Sequence, residues 1–316
     1  MSIRLNYQED FSEGLKRLMI EECETALENI EKADDEESRH EAVHEVRKAF
    51  KKVRACLRLV RDEIDYYSEE NKWFRDQGRI ISDIRDATAD IEALAELKEQ
   101  YESELYKNSF KDLREGLLTY RKELADQIFR EENRLNEIRN DLLEKVEKIP
   151  SWNLDIQSFE EIRPSIERTY GRGLNGLQES IKEGKIEHFH EWRKRVKYLR
   201  YQIDILNRLW PQVFKTLEDE LHDVTDLTGF LHDMHNLQNS ARRLDDPFSD
   251  EEERILFYAL SDKQQEYLKK HALLKGQKFY IDSPSDFCDR FEVYWNMHQK
   301  EIQNEQLPDT EYLEYS

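Results

Sequence analysis

The sequence predicts an all-α protein, and three observations carry that prediction. Gly and Pro are scarce, apolar residues recur at helical spacing along nearly the whole chain, and one basic helical segment occurs twice. Only 9 Gly and 6 Pro among 316 residues leave too little turn punctuation for an all-β or α/β chain. Charged residues make up 38% and the mean hydropathy is -0.93, values that a disordered chain could share. Disorder is disfavoured because Leu, Ile, Val, Phe, Trp and Tyr keep to spacings of three and four. The length favours two units of roughly 150 residues each.

The elements follow in order. A first helix is predicted over residues 8 to 32, with Phe11, Leu15, Leu18, Ala26 and Ile30 on one side. The polar run Ala33 to Arg39 breaks it. Further helices are predicted at 40 to 65 and 69 to 99, and a pattern at 105 to 148 fits one helix or two before Pro150 stops it. Ile149 to Pro164, with two prolines and an irregular mix of Trp152, Leu154 and Phe159, reads as a connection between an N-terminal helical unit (1–149) and a C-terminal one (165–316). In the second unit helices are expected at 165 to 182, 186 to 209, 211 to 244, 250 to 274 and 285 to 305, with fraying of the last few residues.

The repeat is the main functional clue. Val43-His44-Glu45-Val46-Arg47-Lys48-Ala49-Phe50-Lys51-Lys52-Val53-Arg54 aligns with Phe189-His190-Glu191-Trp192-Arg193-Lys194-Arg195-Val196-Lys197-Tyr198-Leu199-Arg200 at an offset of 146 (190 minus 44). Ile84-Arg85-Asp86 and Leu231-His232-Asp233 follow at 147 (233 minus 86). In each copy a heptad seam packs the helix: Val43, Val46, Phe50, Val53, Leu57, Val60 and Ile64 in the first, Phe189, Trp192, Val196, Leu199, Ile203, Leu206 and Trp210 in the second. Beside each seam runs a basic stripe, His44, Arg47, Lys48, Lys51, Arg54 and Arg58 in one copy and His190, Arg193, Lys194, Lys197, Arg200 and Tyr201 in the other. Like charges three and four apart repel, so such stripes need acids or an anion to neutralise them. Arg offers phosphate a bidentate fork, Lys an adaptable point charge, and His one or two donors. Two stripes in matched register therefore point to a polyanion of closely spaced phosphates.

The remaining composition narrows the alternatives. A net charge of -21 speaks against a general DNA or membrane-surface binder. Cys23, Cys56 and Cys288 form no CxxC pair and are expected to be reduced and buried. The opening residues MSIRLNYQEDF have no apolar core of signal-peptide length and nowhere do 18 apolar residues run consecutively, so a cytoplasmic protein is expected. Neither a cofactor nor a resident metal is expected.

The H-x-x-R-K-x-x-K-x-x-R helix in both halves, the Arg85-Asp86 pair and the segment Leu227-Thr228-Gly229-Phe230-Leu231-His232-Asp233 resemble the CHAD family, the conserved-histidine α-helical domain. The resemblance covers about residues 5 to 300. It implies two four-helix bundles related by an internal pseudo-twofold repeat, with a basic cavity between them that binds inorganic polyphosphate. On this resemblance His44, Arg47, Lys48, Lys51, Arg54, His190, Arg193, Lys194, Lys197 and Arg200 carry the binding. Arg58, Arg85 and Tyr201 are added to that set, with Asp86 and Asp233 as supporting carboxylates and Arg168, Tyr170 and Arg172 near the anion. A polyphosphate-metabolising enzyme or a polyphosphate granule is the partner this implies, with no membrane and no specific nucleic acid. Two departures stand out. Tyr198 occupies the position of the base Lys52, and His232 that of Arg85, which implies weaker binding by the second half.

Rival motifs are weaker. Gly171-Arg172-Gly173-Leu174-Asn175-Gly176 matches GxGxxG by letter but lacks a preceding strand, and reads as a glycine-loosened helix. Glu41-x-x-His44 and Glu187-x-x-His190 have the spacing of di-iron carboxylate bundles, but the adjacent bases disfavour a divalent cation. His222-Asp223, His232-Asp233 and His235 could serve a metal-dependent phosphohydrolase, although His and Asp are ordinary on the solvent face of a helix. No aromatic-studded sheet or other RNA-binding module is recognisable.

Overall fold

The computed structural model describes residues 3–131 and 133–305, and the fraying expected at the C-terminus lies outside them. Within that span the chain is all helical, without strands. Eleven α-helices follow one another among the described residues: α1 (Phe11–Glu31), α2 (Glu36–Leu59), α3 (Tyr67–Ile80), α4 (Ser82–Gln100), α5 (Lys111–Ala125), α6 (Arg134–Lys148), α7 (Phe159–Glu183), α8 (Ile186–Ile205), α9 (Pro211–Ala241), α10 (Glu251–Phe279) and α11 (Pro284–Glu305).

Local chemistry sets the boundaries. Asp10 accepts from the Glu13 N–H at the start of α1, and Asp35 forms a capping box with Ser38 at the start of α2. Helix α7 begins earlier than expected. A Ser158–Glu161 capping box starts it at Phe159, so Pro164 lies inside the helix rather than in the connection, past the first four residues, where its missing N–H costs one backbone hydrogen bond. Gly184, at φ 65°, ends α7 in the left-handed region and turns the chain directly into α8. Between 105 and 148 the pattern resolves into α5 and α6, joined through a π-helical stretch, Asp126–Glu131.

Both heptad seams face inward. Val43, Val46, Phe50, Val53 and Leu57 are buried, as are Phe189, Trp192, Val196, Leu199 and Ile203. Trp210 is the exception, 47% exposed, because α8 ends at Ile205 and a 3₁₀ turn, Leu206–Leu209, redirects the chain before α9. The glycines of the GxGxxG lookalike lie within α7. Gly173 faces the Tyr280 hydroxyl and Gly176 the Trp192 side chain, so they permit close helix packing. Cys23, Cys56 and Cys288 are free and buried.

Neighbour relations recur in the two halves. Helix α1 packs on α2 as α7 packs on α8; α2 meets α3 and α4 as α8 meets α9; α5 covers α4 as α10 covers α9; α6 lies on α1 as α11 lies on α7. The halves meet where α2 touches α8 and α4 touches α9. The buried apolar side chains of both halves form one connected cluster.

Candidate phosphate-binding site

The α2–α8 contact brings the two basic stripes together. Two cavities of about 760 Å³ and about 540 Å³ flank this contact. Arg47, Lys51, Arg54, Lys194 and Tyr198 line both, so the cavities adjoin along the helix pair.

The larger cavity gathers most of the expected residues. His44, Arg47, Lys48, Lys51 and Arg54 line it from α2, and His190, Arg193, Lys194, Lys197, Arg200 and Tyr201 from α8. Arg85 and Asp86 come from α4, and His232 and Asp233 from α9. The smaller cavity takes Arg58, Arg168 and Arg172. Tyr170 lines neither. Its ring stacks on Phe287 at 4.2 Å and its hydroxyl donates to the Asp282 carbonyl at 3.2 Å, which places it in the aromatic core under α7.

The stripe side chains are held in matched ways. Arg47 Nη1 donates to the Gly78 carbonyl at 2.6 Å, and Arg193 Nε to the Thr225 carbonyl at 3.2 Å. These acceptors are again 147 residues apart (225 minus 78). Lys48 pairs with Glu45 at 2.9 Å and Lys194 with Glu191 at 2.6 Å, each three residues back. At the head of the first stripe Arg85 Nε donates to His44 Nδ1 at 3.0 Å, which leaves the proton of a neutral imidazole on Nε2. At the second, the ring of His232 stacks on that of His190, with centroids 4.3 Å apart. Arg85 and His232 thus occupy equivalent places against the two histidines.

The decisive feature is missing acid. Among the described residues no carboxylate lies within ion-pairing distance of Arg47, Lys51, Arg54, Arg58, Arg172, Arg193 or Lys197. This chain of 70 Asp and Glu residues leaves its most crowded cations without a direct ion pair among the described residues. Asp86 forms no ion pair among the described residues, and Asp233 meets His232 of its own helix at 3.2 Å. Buried polar atoms remain unused as well: the donors Arg47 Nε and Arg85 Nη1 and the ring nitrogen His190 Nδ1 have no protein partner, and groups of this kind are normally satisfied by something.

Protonation follows from this crowding. Burial, followed by the nearby Arg47 and Arg193, pushes Lys51 down to about 7. Burial and the Arg193 and Lys51 charges hold Lys197 well below the usual lysine range. Burial and His232 lower His190 to about 4. Burial and then Arg85 lower His44. Both histidines are therefore neutral at pH 7. Burial also lowers Arg54, to about 10 with Arg58 adding to the effect, a value that leaves it cationic.

Several lining residues had weak sequence signals. Arg61, Tyr67, Arg75, Arg79 and Arg195 all line the smaller cavity. Arg75 and Arg79, four apart and so on one helix face, offered one clue, but their helix belongs to neither copy of the repeated segment. Lys52 points elsewhere. It is 4% exposed and donates to Glu22 at 2.6 Å between α2 and α1, so Tyr198 does not take the place of a cavity base. Tyr198 instead stacks under Arg58 across the helix pair, 3.8 Å from guanidinium carbon to ring centre.

The metal motifs do not assemble. Glu41 and Glu187 are exposed, Asp223 pairs with Lys275, and His235 does not line the cavity that holds His222 and His232. Among the described residues no three His, Cys, Asp or Glu side chains are grouped to hold a metal ion. No described helix is long and apolar enough to cross a membrane.

No curated protein matches the chain. The family model described as the CHAD domain matches residues 21–242, from within α1 to just past the end of α9, leaving α10 and α11 outside the match. With more than half of its length so matched, and with both basic helices inside that span, the chain belongs to the CHAD domain family.

Proposed function

We propose that the adjoining cavities bind inorganic polyphosphate and hold it without transforming it. One observation carries this reading: two matched rows of half-buried cations converge on α2–α8 and, among the described residues, the central ones have no carboxylate within ion-pairing distance. Their mutual repulsion is a local penalty that a phosphate polymer would relieve, with Arg supplying forked contacts and Lys point charges. The matched Arg47 and Arg193 contacts support reading the halves as repeated four-helix units. The acidic remainder of the chain would discourage indiscriminate association with nucleic acid. Chemistry on the polymer would then belong to a separate enzyme or to a granule-associated partner in the cytoplasm.

The test is calorimetric titration with long-chain polyphosphate against duplex DNA of equal charge, repeated with the variant Arg47→Glu/Arg193→Glu. Tight polyphosphate binding, weak DNA binding and loss of affinity in the variant are expected. Equal affinity for both polymers, or an unaffected variant, would overturn the assignment. Phosphate release from the polymer on adding divalent metal would instead overturn the non-catalytic part of this reading.

A further inference from the structure

The two stripes match in sequence but not in the partners that other helices bring to them. Arg54 and Arg200 are equivalent, 146 residues apart (200 minus 54), and each turns its Nε toward the following helix of its own half. Arg54 Nε donates to Asn71 Oδ1 at 3.1 Å, whereas Arg200 Nε donates to Glu218 Oε1 at 2.6 Å. Asn71 and Glu218 are themselves equivalent, 147 apart (218 minus 71). At one site of the repeat the acceptor is neutral; at the other it is a carboxylate only 7% exposed. A second position tilts the same way. Arg58 reaches the smaller cavity, while its counterpart Asp204 (58 plus 146) is turned away, accepting from the Ile3 N–H and Arg4 Nε.

We propose that Glu218 is a specificity-determining residue, which occupies Arg200 and so biases a bound polyphosphate toward the first stripe, where Arg54 is free to contact phosphate. This inference rests on the polyphosphate reading of the cavities. A phosphate oxygen approaching Arg200 must compete with a carboxylate already in hydrogen-bond contact and poorly hydrated. One approaching Arg54 displaces only an amide. Asn71 also leaves Arg54 and Arg58 as adjacent cations on successive turns of α2 with no ion pair among the described residues. Glu218 thereby lowers the number of phosphates the site neutralises and makes the two ends of the site unequal, although the stripes themselves are near copies.

The experiment titrates long-chain sodium polyphosphate into wild type, Glu218→Gln, Glu218→Gln/Arg200→Gln and Asn71→Glu at several NaCl concentrations. Glu218→Gln frees Arg200, and we expect affinity to rise by roughly tenfold. The slope of log K against log salt should steepen by about one, by analogy with counterion release from nucleic acids. Adding Arg200→Gln should remove both gains, a result that a purely structural effect of Glu218 would not give. Asn71→Glu lies at a half-exposed position, leaves the Arg200 pair intact, and should weaken binding by a similar factor. Binding by wild type with no gain in Glu218→Gln, or a gain that survives Arg200→Gln, overturns this inference alone. Absence of polyphosphate binding by all four proteins overturns it together with the reading on which it rests.

Discussion

Individual residues in this protein are sorted by whether their charge is answered. Lys52 and Glu22 answer each other in the core between α1 and α2, and burial raises the Glu22 carboxyl while Lys52 opposes that shift. Lys52→Met should therefore lower stability in urea unfolding at pH 7 by about 3–5 kcal/mol, the usual result of stranding one member of a buried pair. Polyphosphate affinity should be unchanged. The loss should shrink as pH falls, because a carboxyl raised above its unfolded value is less destabilising once protonated. A variant equally damaged at acid pH would contradict this. Gly229 acts differently. A Cβ there would lie 2.7 Å from Arg193 Nη2, too close for the guanidinium to stay against α9. Gly229→Ala should displace Arg193 and weaken polyphosphate binding by about tenfold, with little loss of stability, because the displaced atom is the far end of a flexible side chain and Ala favours the helix. Unchanged affinity would show that Arg193 is not a contact.

At the scale of elements, the α2–α8 pair carries both basic stripes, and α3, α4 and α9 pack against it. These packing helices are built differently in the two halves. Helix α3 ends at Ile80 and α4 starts at Ser82, with the buried Ile81 between them, whereas α9 runs unbroken through the equivalent Thr228. Gly78 in α3 and Thr225 in α9 still deliver the carbonyl that holds each stripe arginine. Crossing α2 and α8 places Lys51 and Lys197 among Arg47, Arg193, Arg85 and Arg200 from α2, α8 and α4, with Asp86 and Asp233 on α4 and α9 as the opposing charges. Lysines in an unfolded chain titrate near ~10.4, and both are lowered here. The ligand-free protein thus binds fewer protons than the unfolded chain between about 7 and that value, and its stability rises with pH across the window. A bound polyanion favours the charged amines. Binding at pH 8 should then take up protons, and affinity should fall as pH rises above about 7. Titration in buffers of different ionisation enthalpy measures the uptake, and a value of zero at pH 8 would contradict the placement of Lys51 at the ligand.

For the whole molecule, a net charge of -21 surrounds an interior row of cations. Association with polyphosphate should therefore depend steeply on salt. Saturating polymer should raise the melting temperature by mass action, by about 2.7 kcal/mol of stability at a hundredfold excess over Kd. Thermal unfolding of Arg47→Glu/Arg193→Glu should show no such rise. A ligand-induced shift as large as that of wild type would place the binding elsewhere on the surface.

The helical class, both seams and the two stripes were legible in the sequence because each is a property of one helix: a period of 3.6 fixes which side chains share a face, and a duplicated register survives in the letters. Burial of the seam from Val43 to Leu57 follows from that period. Its limit shows at Trp210, where the pattern continues but the helix does not. What faces a stripe depends on helices distant in the sequence, so only the tertiary structure separated Lys52, which meets Glu22, from Lys51, which meets no acid among the described residues. For the same reason it took the packing of α3 on α2 and of α9 on α8 to reveal the unequal partners of Arg54 and Arg200. The sequence determined that two basic helices exist in matched register. Their convergence, the cavities between them and the charges left unanswered were decided by tertiary packing, because electrostatic compensation acts through space between residues that no periodicity connects.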